Sequence, residues 1–173
     1  MKIVKAKWVG VALTVSAAAV GGQPMNARIS NTKGQSVWMN QLWGKPTVMF
    51  YEDKDATFQN QPLKDALFKK GKEKGLLEAV SVVAIANVRA YDWFPAKNFV
   101  VSAVKDAEKT SGVPVYVDWT GSLSNKPWNL NATGSNVLVV DSTGEKVLFS
   151  KTGALTPEEI DQVFDLLISL VAR

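Results

Sequence analysis

The order of short apolar runs constrains this chain more than any other feature. Residues 47–51 (TVMFY), 79–85, 113–117 and 137–140 are each apolar, four to seven residues long, and bounded by turn residues. That is the mark of a strand buried in a sheet. Helical spacing lies between the first three. A helix is expected from Thr57 or Asn60 to Lys70, with Leu63, Ala66 and Leu67 in register and Gly71 as its stop. A second is expected over residues 99–109, with Val100, Val101, Val104 and Ala107 as apolar positions and Gly112 as its end. Helices that alternate with strands imply parallel pairing through right-handed crossovers. Residues 146–149 make a fifth strand, antiparallel to the fourth. Asp118-Trp-Thr-Gly121 and Asp141-Ser-Thr-Gly144 follow strands as tight turns, because Asp bonds its own backbone and Gly accepts positive φ.

The last helix has the sharpest boundary. Thr156 is its N-cap, Pro157 stands at N1, and Glu159 completes a capping box. Leu155 and Ile160 are spaced for a hydrophobic staple. Ile160, Val163, Phe164, Leu167, Ile168 and Val171 form one stripe. At the other end, residues 23–30 read as an irregular lead-in. Asn31-Thr-Lys-Gly34 before Ser36-Val-Trp38 predicts a small hairpin. No repeat, low-complexity stretch or internal linker divides residues 21–173, so they are read as a single α/β domain.

Residues 1–20 have the pattern of a bacterial export signal. Lys2, Lys5 and Lys7 precede an apolar run over residues 8–20, and Ala17-Ala18-Ala19 supplies small residues for cleavage near Ala19. The apolar run is shorter than the ~20 residues a spanning helix needs. The expected address is therefore the periplasm or the exterior, without stable membrane insertion after cleavage. The alternative is an uncleaved N-terminal anchor. The three lysines account for three of the four net positive charges, and residues 1–20 hold no Asp or Glu, which leaves +1 for residues 21–173. The basic balance is thus no argument for a nucleic-acid partner. The run Lys69-Lys70-Gly-Lys72-Glu-Lys74 reads as a solvated helix end.

The chain contains neither cysteine nor histidine. Thiol redox chemistry, Cys nucleophiles, Ser-His-Asp triads and Cys/His zinc sites are excluded by composition. Export to an oxidising compartment would permit disulfides, so none being possible is informative.

The element order, and the wording of residues 31–51 with Lys45-Pro46 before Val48-Met49-Phe50, resemble the redoxin branch of thioredoxin-like proteins. Residues 113–118 and 137–144 resemble its later strands. The stretch 137–171, with Gly153-Ala-Leu-Thr-Pro-Glu-Glu159 at its centre, resembles the YtfJ-like family of small exported bacterial proteins. The resemblance implies a thioredoxin-like fold: a mixed central sheet flanked by helices, with an N-terminal β-hairpin. It places the redoxin nucleophilic cysteine near Asp55, the resolving one near Phe58, and the proline before the fourth strand at Asn136. All three are lost here, and Asn136 is expected in a trans peptide.

The candidate surface is this degenerate region: Glu52, Asp53, Asp55, Phe58, Trp93, Trp119 and Asn136. Glu52, Asp53 and Asp55 could meet a hard cation, or could be a solvated loop that caps the next helix. Trp93, Phe94, Trp119 and Trp128 stand in expected loops, either as interface anchors or as lids on the core. Trp38 and Trp43 read as core. Asp118 and Asp141 could pair for acid–base work, but their turns already explain them. Asn131-Ala-Thr133 matches a glycosylation sequon that a bacterial signal makes uninformative. No cofactor is implied. The favoured function is a non-catalytic module that binds another envelope protein or a peptide. A small-ligand carrier, with a pocket beside Asn136, ranks second. A non-thiol enzyme using a divalent cation at residues 52–55 ranks third.

Overall fold

A computed structural model describes residues 26–73 and 75–172; the expected signal segment and its cleavage point lie outside them. The hairpin consists of β1 (Arg28–Asn31) and β2 (Ser36–Trp38). Then follow β3 (Thr47–Glu52), α1 (Gln61–Glu73), a single turn α2 (Leu76–Ala79), β4 (Ser81–Asn87), α3 (Ala96–Ser111), β5 (Val115–Asp118), β6 (Ser135–Val140), β7 (Val147–Thr152) and α4 (Pro157–Val171). The strands form one sheet in the order β2-β1-β5-β4-β3-β6-β7. β3, β4 and β5 are parallel; β6 and β7 run antiparallel.

Chain direction decides which face each helix covers. Both crossovers, β3–α1–β4 and β4–α3–β5, step the same way along the sheet. With a common right hand they must lie on the same face. Alternation then assigns the side chains. Val48, Phe50, Val137 and Val139 point to α1 and α4 and pack with Leu63, Leu67, Val163, Phe164 and Leu167. Val115, Val117, Ala84 and Ala86 point to α3 and pack with Val104 and Val100. The opposite face carries Met49, Tyr51, Val83, Ile85, Leu138 and Val140. No helix among α1–α4 packs on that cluster. It is closed by Ala27, Ile29 and Met39 from the N-terminal segment and by Leu123 and Leu130 from the long β5–β6 connection.

The expected element order holds, with four local corrections. Residues 28–30 are part of β1, paired with both β2 and β5, so the lead-in is shorter than its polar composition suggests. Gly71 does not stop α1. It lies buried inside the helix, where an added Cβ would come within 3.3 Å of Leu77; it allows α2 to pack close. Trp38 is 48% exposed, with Arg28 over its ring, and is not core. In α4, Ile168 and Val171 face outward, while Leu166 and Leu170 join the packed side; the helix lies on the sheet slightly rotated from its most regular stripe. Trp43 packs on the helix-free face, as expected of core. It touches the Asp141 turn so closely that a Cβ at Gly144, which has φ +78°, would meet it at 2.2 Å. The capping box of Thr156 and Glu159 is formed.

Candidate functional site

The positions where redoxin cysteines would stand, near Asp55 and Phe58, are exposed on the loop after β3, and the buried carboxylate beside them is already bonded. Glu52 ends β3 on the helical face and is buried. Its carboxylate accepts from Ser135 Oγ at 2.6 Å and from Lys64 Nζ at 2.7 Å. Ser135 Oγ in turn accepts from Asn60 Nδ2 (2.8 Å), and Asn60 also bonds Gly153 O and Leu155 N. This network ties β3, α1, β6 and the entry to α4 together. The remaining carboxylates point elsewhere. Asp53 Oδ1 accepts from the Asp55 amide in a local turn, and Asp55 pairs with exposed Lys54. Among the described residues no three acidic side chains converge, so Glu52, Asp53 and Asp55 are not brought together as a ligand set.

Asn136 faces the other side of the sheet. The peptide bond before it is trans; the cis bonds lie at Phe94–Pro95 and Lys126–Pro127. Its side chain is buried. Nδ2 donates to Tyr51 O (3.0 Å) and Asn131 O (2.8 Å), and Oδ1 accepts from Asn131 N (2.9 Å) and Thr152 Oγ1 (3.0 Å). It is a clamp for the loop before β6, with no polar group left for a ligand. Asp118, also buried, has a larger role than its turn alone. It accepts from Tyr51 Oη, Thr120 Oγ1, Leu123 N and both Ser122 N and Oγ, and so holds the connection that closes this face. Burial, with the Asp118 carboxylate beside it, pushes the Tyr51 hydroxyl far above the usual tyrosine range, so it is a fixed donor and not a base.

The open feature lies on the helical face. Between α1 and α3 runs a groove of about 660 Å³. Its floor is Phe50, Val82, Ala84, Ala86 and Val115. One wall is Leu67 and Phe68 of α1; the other is Phe99, Val100, Ala103, Val104 and Ala107 of α3. A parallel strand in mid-sheet is normally covered on both faces, yet Val82, Ala84 and Ala86 of β4 are only half-buried. One end is polar: Glu52, Lys54, Thr57, Gln61, Lys64, Asn87 and Tyr91 surround the ends of β3 and β4. Lys54 reaches across this mouth, and its pKa is raised by Asp55 first and by Tyr91 as well. Volumes of 300–1,000 Å³ are typical of ligand clefts.

Of the expected site residues, Glu52 lies in the groove mouth. Phe58, Trp93 and Phe94 are solvent-facing on the loops that follow β3 and β4, Phe94 with 83% of its surface free. Trp119 is half-buried against the α3 cluster, under Lys97 at 4.6 Å; Trp128 packs on the helix-free face. Sequence reasoning missed the groove itself. The available signals were Phe68 and Phe99, aromatic residues off their helices' core stripes, and the small pair Ala84-x-Ala86 in mid-strand.

A model of the YtfJ family, described as bacterial proteins of unknown function, matches residues 26–170. The chain belongs to that family. It is 31% identical over 111 residues to the uncharacterised protein YtfJ of Escherichia coli K12, a match spanning 59% of this chain and 60% of the relative's length. Solved structures with the same fold include a pneumococcal exposed lipoprotein thioredoxin from Streptococcus pneumoniae (TM-score 0.59, 14% identity, 84% of this chain and 100% of the other). A putative thiol:disulfide interchange protein DsbE from Chlorobium tepidum gives a TM-score of 0.60 at 12% identity, over 86% and 95% of the two chains. A thiol peroxidase from Chromobacterium violaceum gives 0.56 at 12% identity, over 86% of each. The fold is thioredoxin-like, and this YtfJ-family chain carries it without any cysteine.

Proposed function

We propose that this YtfJ-family chain is a non-catalytic binding module of the bacterial envelope, and that its site is the α1–α3 groove. The observation that carries the reading is a ligand-sized apolar cleft on the helical face of the sheet. The old redox position offers no thiol, and the buried carboxylate beside it, Glu52, is already bonded to Ser135 and Lys64. The groove moves a carrier of apolar ligands ahead of a protein- or peptide-binding module. The exposed Phe58, Trp93 and Phe94 favour the protein or peptide reading as the second one, since surface aromatics are frequent interface anchors. The envelope address rests on the lysine-led apolar run of residues 1–20.

The test uses N-phenyl-1-naphthylamine, a neutral dye whose emission rises in apolar sites. The native protein should raise it saturably. Ala84→Leu, which places a larger side chain on the groove floor, should remove most of the gain with an unchanged circular-dichroism spectrum. No gain, or the same gain in Ala84→Leu, would overturn the groove as the site. Recovery of the full-length chain from the cytosolic fraction with its first 20 residues intact would overturn the address.

A further inference from the structure

We infer that the groove takes a single-chain amphiphile with an anionic head, its apolar chain along β4 and its head at the mouth. This rests on the binding reading above and adds the chemical class of the ligand. The floor sets how the chain lies. The floor centres on Val82, Ala84 and Ala86, alternate residues of one strand. The cleft is therefore a slot parallel to that strand, with a floor roughly 13 Å long at about 3.3 Å per residue. An extended chain laid along the strand fits this length.

Polarity sets the direction. The body of the slot is apolar, and the charged lining side chains, Glu52, Lys54 and Lys64, all stand at the end where β3 and β4 terminate. Glu52 is already committed to Ser135 and Lys64. Lys64 donates to Glu52 and to Thr57 O, which leaves one of three ammonium hydrogens. Lys54 is held by Asp55, an exposed carboxylate outside the slot, in the kind of solvent-screened pair that competes weakly. The helix ends add to this. Gln61 of α1 and Ala96 of α3 both line the groove, and both helices start at this end. Neither carries an acidic residue in its own first turn, so each adds a partial positive charge at this end. A carboxylate and a phosphate monoester share the chemistry that such a mouth recognises.

Dye displacement at pH 8 with dodecanoate, dodecyl phosphate and dodecanol tests the assignment. At least one anion should displace the dye at a concentration fivefold or more below that of the alcohol. The better of the two anions identifies the head. Lys54→Gln should shrink that advantage at least threefold, and Lys54→Glu should abolish it. Equal displacement by alcohol and anions, or an advantage unchanged in both variants, overturns the anionic head while leaving the groove reading intact. If the dye binds and no dodecyl compound displaces it, but an amphipathic helical peptide does, the occupant is a protein segment and the inference fails. If the dye does not bind, the functional reading itself fails.

Discussion

The two faces of this sheet are closed by opposite means. One is covered by three helices and still leaves β4 half-open between α1 and α3. The other is covered by the chain flanking the hairpin and by the β5–β6 connection, yet Met39, Met49, Tyr51, Leu123 and Val140 have no solvent contact. Regular structure is thus no guide to which face is sealed. The irregular cover works because two buried polar side chains, Asp118 and Asn136, bond the loop backbone wherever a helix would have bonded itself. The helical cover leaks because helices are stiff and the floor beneath them has alanines at 84 and 86.

The largest effect that could break this contrast comes from the irregular side. Leu123→Ala should lower unfolding free energy by about 3 kcal/mol, since it empties a sealed site. Val100→Ala on the groove wall should cost about 1 kcal/mol or less, because that side chain is already partly wet. Comparable losses in urea titrations would mean that the faces are equally packed. Asn136→Ala should cost about 2–3 kcal/mol by leaving Tyr51 O and the Asn131 backbone unpaired. A loss under 1 kcal/mol would show that water replaces it and that the cover is loose.

The next effect is one of pH. The Tyr51 hydroxyl ionises less readily folded than unfolded, through burial first and then the Asp118 charge. Its raised pKa means that the unfolded chain loses this proton first. Stability is unaffected below pH ~10 and falls above it, by up to about 1.4 kcal/mol per pH unit. Tyr51→Phe should flatten that decline. Part should remain, because burial and nearby Glu108 also raise Tyr116. An identical alkaline profile would place Tyr51 in contact with solvent. The smallest effect is expected at the groove, where Ala84→Leu should shift stability by under about 1 kcal/mol while removing dye binding. A loss above 2 kcal/mol would mean that the slot is closed in solution.

What the sequence made legible was local. β3 and β6 are unbroken apolar runs, and Thr156-Pro157 with Glu159 marks a helix start from four residues. The Asp118 and Asp141 turns were readable for the same reason. The errors were relational. Gly71 looks like a stop unless Leu77 is known to need its space. Trp38 looks like core until its strand is found at the sheet's edge. The acidic residues 52, 53 and 55 look like a cluster, but alternation sends Glu52 inward to Lys64 and leaves the others in a solvated turn. The groove is an interval between two helices, and no single segment encodes an interval. The small residues at 84 and 86, with Phe68 and Phe99 on the flanking helices, hint at it.

The pairing of β3 with β6 has a consequence for how fast this molecule assembles. Tyr51 and Asn136, 85 positions apart in the chain, meet here. Everything from β3 to β5 can form through neighbours in sequence, but the join of β3 to β6 must wait for that long loop to close. Contacts so distant along the chain must meet their entropy cost before they return any stability, which slows folding. The half-sheet of β3, β4 and β5 would then be the persistent early species, with its β3 edge unpaired until β6 arrives.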